Sequence, residues 1–234
     1  MAQARDISTL LLATVLLMPA SERSRVPASA SDSQRVLRIR VLTDGADVEG
    51  HGVAVARQDR PSDTVLHLLT AARLFRAAGT GEPLSWRGVR VDVGAAVPID
   101  VGPRDVVVSG SRLADVAIVR VAVPTSSATA AALIWTMPEP GESIRIEGFD
   151  ASGGTMALDA RARFVSTRLV RTDRDASVLR GCLGAPAFVG AGVVGIVAEC
   201  TRGFGAVVST FWMDRWFIER TLPRPPAVTT RTEP

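Results

Sequence analysis

The chain has 234 residues, 47% hydrophobic and 22% charged, which is too apolar and too weakly charged for a disordered chain and long enough for one two-barrel β domain or two small domains. The net charge is only +3 although the pI is near 9.9, because every cationic residue is Arg and none can be deprotonated. No long basic run and no basic stretch interleaved with aromatics occurs, which argues against a nucleic-acid-binding protein.

The sequence contains no Lys, no Asn and no Tyr. All three have A/T-rich codons, so their absence reads as genome composition, and the abundance of Arg is poor evidence for phosphate recognition. Without Asn there is also no N-glycosylation site.

The chain opens like a secretory leader. Arg5 precedes an apolar run from Ile7 to Met18, and small residues follow as far as Ala28-Ser29-Ala30. This is the charged start, short apolar core and A-x-A site of a signal peptide, with a cut after Ala20 as an earlier alternative. A run of twelve residues is too short to span a bilayer comfortably. The expected layout is therefore a signal peptide over residues 1–30 and a secreted or periplasmic mature chain with no membrane span.

Short β-prone runs follow, separated by Gly, Pro and Asp. The first set is Val36–Val41, Gly52–Arg57, Val65–Leu69, Val89–Val93, Asp105–Val108 and Val116–Val123. Pro124–Pro140 reads as a linker. The second set is Ser143–Phe149, Thr155–Leu158, Ala162–Thr167, Ala187–Val189, Val193–Ala198 and Ala206–Ser209. Ser152-Gly153-Gly154 reads as a hairpin turn. Many short strands at close spacing imply a sandwich or barrel protein.

One helix is expected over Phe211–Leu222. Its apolar face is Trp212, Met213, Trp216 and Phe217, and its polar face is Asp214, Arg215, Glu219 and Arg220. Ser209 or Thr210 is the expected cap, Pro223 the stop, and the Trp pair is expected in the core. Residues 223–234 read as a loose tail. The two cysteines, Cys182 and Cys200, permit one disulfide in an exported chain, and two buried free thiols are the alternative.

Three segments, in order, resemble the trypsin-like serine proteases. Gly50-His51-Gly52-Val53-Ala54-Val55 followed by Leu68-Leu69-Thr70-Ala71-Ala72-Arg73 is similar to the family's glycine-bearing strand and its Thr-Ala-Ala-His segment, with Arg73 in place of the general base. Ala114-Asp115-Val116-Ala117-Ile118-Val119 is similar to the segment whose Asp orients that His, and Asp115 matches it. Arg180-Gly181-Cys182-Leu183-Gly184-Ala185-Pro186 is similar to Gly-Asp-Ser-Gly-Gly-Pro, with Cys182 for the Asp and Leu183 for the nucleophile. Gly192–Val197, Gly203–Ser209 and the terminal helix resemble the strands and helix that close the fold.

The resemblance implies an all-β fold of two perpendicular antiparallel barrels over residues 31–130 and 131–222, with a C-terminal α-helix in the second part. It also implies that the chemistry is gone. Acyl transfer needs a nucleophile, a base and oxyanion donors. Leu183 has no heteroatom, and Arg73 is a permanent cation that accepts no proton. The degenerate triad positions are then Arg73, Asp115 and Leu183, and Gly181 and Leu183 match the oxyanion-hole donors. Arg73 and Asp115 are expected to form an ion pair.

Zymogen activation through a new N-terminus is not expected, since Cys182 replaces the Asp that such a terminus would meet. Ser177 falls near the floor of the specificity pocket. A Cys182–Cys200 bridge would tie the nucleophile loop to the end of the next strand.

The implied function is a non-catalytic, exported protein- or peptide-binding pseudoprotease. The alternative is an active hydrolase with a displaced nucleophile such as Cys182, served by His51 or His67. No cofactor and no metal is expected, because the two His and two Cys are not at metal-ligand spacing. The partner, if it is a protein or peptide, is not named by any residue.

Overall fold

A computed structural model describes residues 35–94, 97–110, 115–124, 129–211 and 214–223. The expected leader and the tail beyond Pro223 lie outside the described residues. Valine and isoleucine, stiff at χ1 and well packed on a pleated surface, supply about a third of the strand residues.

Seven strands build a first sheet: β1 (Val36–Thr43), β2 (Val48–Asp59), β3 (Thr64–Ala71), β4 (Trp86–Asp92), β5 (Ile99–Val101), β6 (Val106–Val108) and β7 (Val116–Val123). Their order is β5-β4-β1-β2-β3-β7-β6, and all pairs are antiparallel. β3 is buried along its whole length, and β7 is buried from Val116 to Val119 before it alternates. The sheet curls into a nearly closed barrel around Ile39, Val41, Val53, Leu66, Leu68 and Ile118.

The second sheet holds β8 (Ala132–Leu133), β9 (Ser143–Phe149), β10 (Thr155–Val165), β11 (Leu169–Thr172), β12 (Pro186–Val189), β13 (Gly192–Glu199) and β14 (Val207–Thr210). Its order is β12-β9-β10-β11-β14-β13-β8, and β12 also pairs with β13, which closes the ring. Ile144, Ile146, Val170, Val194, Val197 and Val208 fill its interior. One α-helix, α1 (Arg215–Thr221), follows.

Several sequence expectations shift. The expected strands Thr155–Leu158 and Ala162–Thr167 are one strand, β10, running on from the Asp150–Gly154 turn. In that turn Asp150 Oδ1 accepts from the N–H of Ser152 and Gly154, and Gly153 takes a φ of +87°. The expected linker is partly structured. Residues 125–128 lie outside the described residues, but Ala132 and Leu133 pair in parallel with Gly192 and Val193.

The helix is shorter than expected, because Ser209 and Thr210 complete β14 instead of capping it. Thr210 Oγ1 donates to the Arg168 carbonyl at 3.1 Å, and the cap position falls on Asp214, whose carboxylate makes no capping bond. Asp214 is buried, so it is not on the polar face. Trp216, expected in the core, is 69% exposed with Arg220 over its ring at 5.0 Å, while Phe217 and the buried Ile218 pack inward. Trp212 and Met213 lie outside the described residues.

Candidate functional site

A cavity of about 850 Å³ opens between the two sheets. Its first-sheet wall is Val48 and Glu49 of β2 and the segment from Arg73 to Leu84. Its second-sheet wall is Gly181, Cys182 and Leu183 together with Ala198, Glu199 and Cys200 at the end of β13.

β3 ends at Ala71, and a tight 3₁₀ turn over Ala72–Phe75 carries Arg73 to the cavity. Asp115 stands just before β7, which pairs with β3, so the sheet register brings the two together. The Ala72 N–H donates to the Asp115 carbonyl at 3.2 Å and the Arg73 N–H to Asp115 Oδ1 at 2.9 Å. Arg73 Nε lies 3.1 Å from Asp115 Oδ2, and its Nη1 lies 3.5 Å from Glu199 Oε2.

The Asp115 side chain is 13% exposed and that of Arg73 50%. Burial pushes the Asp115 carboxyl above the ordinary carboxylate range, and the Arg73 charge and N–H pull against that rise. Deeper in the same region the buried Asp214 carboxyl is raised to about 6, first by burial and then by the Asp115 charge, with Arg168 opposing.

The loop from Arg180 to Ala185 is held from several sides. Arg180 makes a bidentate pair with Glu49, at 2.7 and 3.1 Å, and Glu49 also accepts from Arg40 at 2.8 Å. These two arginines hold the Glu49 carboxyl below its usual range. Gly181 and Gly184 sit at φ of +59° and +79°, where side chains are strained. A Cβ on Gly184 would also fall against the His51 carbonyl. Cys182 is bonded to Cys200, with 6.5 Å between the Cα atoms.

His51 is the residue whose part in this region could not be read from its position in the sequence. It is fully buried near the start of β2. Its Nδ1–H donates to the Gly181 carbonyl at 2.7 Å, and its Nε2 accepts the Phe149 N–H at 3.0 Å. These two bonds define one neutral tautomer. The ring stacks on Phe149 at 5.6 Å, and Gly148 leaves the space it occupies. Burial lowers its pKa to about 4, against the opposing effect of the Gly181 carbonyl.

His51 also donates its own N–H to the Leu183 carbonyl at 2.8 Å, and Thr70 Oγ1 donates to the His51 carbonyl. One residue therefore joins β2, the loop and β9. The only advance signal was a histidine between two glycines in an apolar strand.

The remaining sequence candidates lie elsewhere. His67 is buried on β3 opposite Arg120, and neither ring nitrogen has a hydrogen-bond partner. Ser177 does not line the cavity, because its N–H and Oγ donate to Asp175. Among the described residues no group of three or more His, Cys, Asp or Glu could hold a metal ion. None of the described helices is long and apolar enough to cross a membrane.

No family model and no curated protein matches the chain. Solved structures do. An inactivated protease paralogue of the scabies mite, S-I1, superposes with a TM-score of 0.60 at 14% identity, over 82% of this chain and 96% of that one. The active form of the Rv3671c protease of M. tuberculosis gives 0.57 at 21% identity, over 82% and 83%. Kallikrein-related peptidase 10 gives 0.58 at 16% identity, over 83% and 98%.

The chain has the trypsin-like fold. In this trypsin-like molecule the two barrels meet at the cavity just described. β1, β2 and β3 of the first barrel touch β9, β12 and β13 of the second. Leu183 packs into the same apolar cluster as Leu74 and Phe188, so its side chain belongs to the wall between the barrels.

Proposed function

We propose that this chain is an exported, non-catalytic protein that uses the cleft of a trypsin-like fold to bind a protein or peptide. The observation that carries this reading is the group following Thr70-Ala71-Ala72, where the resemblance expects the general base. It is a guanidinium, paired with Asp115 at 3.1 Å, and it has no lone pair with which to take a proton. Across the cleft, the nucleophile position holds Leu183. Loss of either Ser or His in such a triad costs roughly 10⁶ in turnover, and the losses are not additive. One structural neighbour is itself described as an inactivated protease paralogue.

A displaced nucleophile finds little support. Cys182 is engaged in a disulfide, so it offers no thiolate. Both ring nitrogens of His51 are already bonded inside the fold, and His67 is not among the residues around the cavity. Export is supported by the leader-like start and by the disulfide, a bond that persists in oxidising compartments.

The test is covalent labelling of the purified mature chain with a fluorophosphonate, beside an active trypsin-like protease. The intact mass is expected to stay unchanged. An adduct on any serine would contradict the proposal.

A further inference from the structure

We propose that the outward face of the β10–β11 ribbon docks on an anionic lipid surface, with Arg161, Arg163 and Arg171 on lipid phosphates and Phe164 and Leu169 below the headgroups.

Positive charge is unevenly placed in this chain. Residues 161–174 hold five Arg and one acid, Asp173, a net of +4, while all 234 residues together carry +3. Arg is abundant throughout, so its number says little, but its excess lies in this one ribbon. The five are never adjacent in sequence, and the fold gathers them. Asp159 and Asp175 flank the stretch. The first stands opposite Arg145 on β9, and the second accepts from the Ser177 and Gly203 N–H groups.

The strand register sorts the ribbon into two faces. Ala162 pairs with Thr172 and Val165 with Val170, and these turn towards the barrel interior. Phe164 pairs with Arg171 on the opposite face, which Leu169, two residues before Arg171, shares. Arg161 and Arg163 are exposed on either side of the buried Ala162. Phe164 is 62% and Leu169 40% exposed, two of the five large hydrophobic side chains that stand exposed among the described residues. Phe204 is a third, and the Gly205 that follows it lies against Arg171 and Thr172. Apolar side chains gathered on one open face mark a contact surface.

The cations select what covers it. The side chains of Arg161 and Arg171 have no carboxylate partner among the described residues, and Arg163 reaches Asp173 only at 3.8 Å. A soluble polyanion would take these guanidiniums and leave Phe164 and Leu169 in water. An uncharged apolar surface would cover the two and strand the cations. An anionic lipid surface meets both, since phosphate oxygens accept from the planar guanidinium fork and apolar side chains bury at the acyl boundary. This is attachment to a surface and not a span.

In the experiment the mature protein, free of the leader, is sedimented with vesicles of phosphatidylcholine alone and of phosphatidylcholine with an equal share of phosphatidylglycerol. Binding to the anionic vesicles is expected to exceed that to the neutral ones by about tenfold or more and to weaken in high salt. The triple variant Arg161→Gln/Arg163→Gln/Arg171→Gln keeps the side-chain stems and is expected to lose about tenfold in lipid binding. Phe164→Ser/Leu169→Ser is expected to lose about as much while its retention on heparin stays unchanged. Both variants alter outward side chains, so their thermal unfolding is expected to match the parent.

Equal binding to both kinds of vesicle, or to neither, would overturn the inference. Lipid binding that survives Phe164→Ser/Leu169→Ser would overturn it as well, because the ribbon would then serve soluble anions.

Discussion

On the first-barrel side of the cleft, the Arg73 side chain is half exposed and is held by two carboxylates, Asp115 and Glu199. On the second-barrel side, the loop from Arg180 to Ala185 is held by a disulfide, a bidentate ion pair and a buried imidazole. The first arrangement depends on charge at a partly wet surface, where salt screens it. The second has an ion pair of similar exposure, but it depends as well on a covalent bond and on the hydrogen bonds of a buried imidazole, which salt does not reach. One wall of the cleft is thus adjustable and the other preformed, and perturbations should separate the two.

The largest effect is expected at His51. Replacing it with Ala leaves the Gly181 carbonyl and the Phe149 N–H unpaired and opens a void beneath Gly148. We expect His51→Ala to lower the unfolding free energy by about 4 kcal/mol in urea denaturation. A cost below about 1 kcal/mol would remove His51 as the tie between the barrels.

The disulfide comes next. The double variant Cys182→Ser/Cys200→Ser opens a loop spanning 18 residues, for which chain entropy predicts a loss of about 3 kcal/mol. An unchanged denaturation midpoint would show that the loop keeps its shape without the bond.

The pH profile sharpens the comparison, because two buried groups oppose each other. The pKa of His51 is lowered to about 4 in the folded protein from 6.5 unfolded. Its contribution is therefore complete above pH 6.5 and is lost as the pH falls towards 4, by about 3 kcal/mol. Asp214 is raised to about 6, so its contribution is present at low pH and is lost as the pH rises through 6. The two trends offset each other between pH 4 and 6. Asp214→Asn is expected to stabilise the protein at pH 7.5 by about 1–2 kcal/mol and to steepen the loss on acidification. Destabilisation by Asp214→Asn at pH 7.5 would contradict the assignment.

The smallest effect is expected at the charged wall. Arg73→Leu leaves Asp115 without its cation, at a cost of about 1 kcal/mol in low salt that shrinks in high salt, since Arg73 is half exposed. Adding Asp115→Asn should recover most of it. A salt-independent loss larger than that from the disulfide variant would reverse the proposed division between the walls.

Much of the fold was legible because its strands carry their own signal. Val116–Val123 and Ser143–Phe149 fall where the β-branched runs place them. β5, β8 and β11 were not read, because Asp100 and Arg171 interrupt the apolar run in β5 and β11 and β8 has only two residues, whereas the equally short β6 and β12 are apolar throughout. The start of α1 was misplaced because Ser209 and Thr210 suit a cap as well as the end of a strand, and only the pairing of β14 with β11 and β13 decides. Trp216 illustrates the same limit. Its spacing fits a core face, but the short helix turns it outward under Arg220.

In the cleft, the segments around Arg73, Asp115 and Leu183 could be found because each is a compact local motif. The ties between Glu49 and Arg180 and between His51 and Gly181 cross 131 and 130 positions. No local pattern carries a contact of that range.

The account stands most directly on whether this cleft binds without cutting. The mature protein should be incubated with a diverse peptide library, beside its Cys182→Ser variant, and the products read by mass spectrometry. The account predicts that every library peptide is recovered at full length from both samples. New peptide termini in the wild-type sample would contradict it, and their loss in the Cys182→Ser sample would hand the chemistry to the thiol.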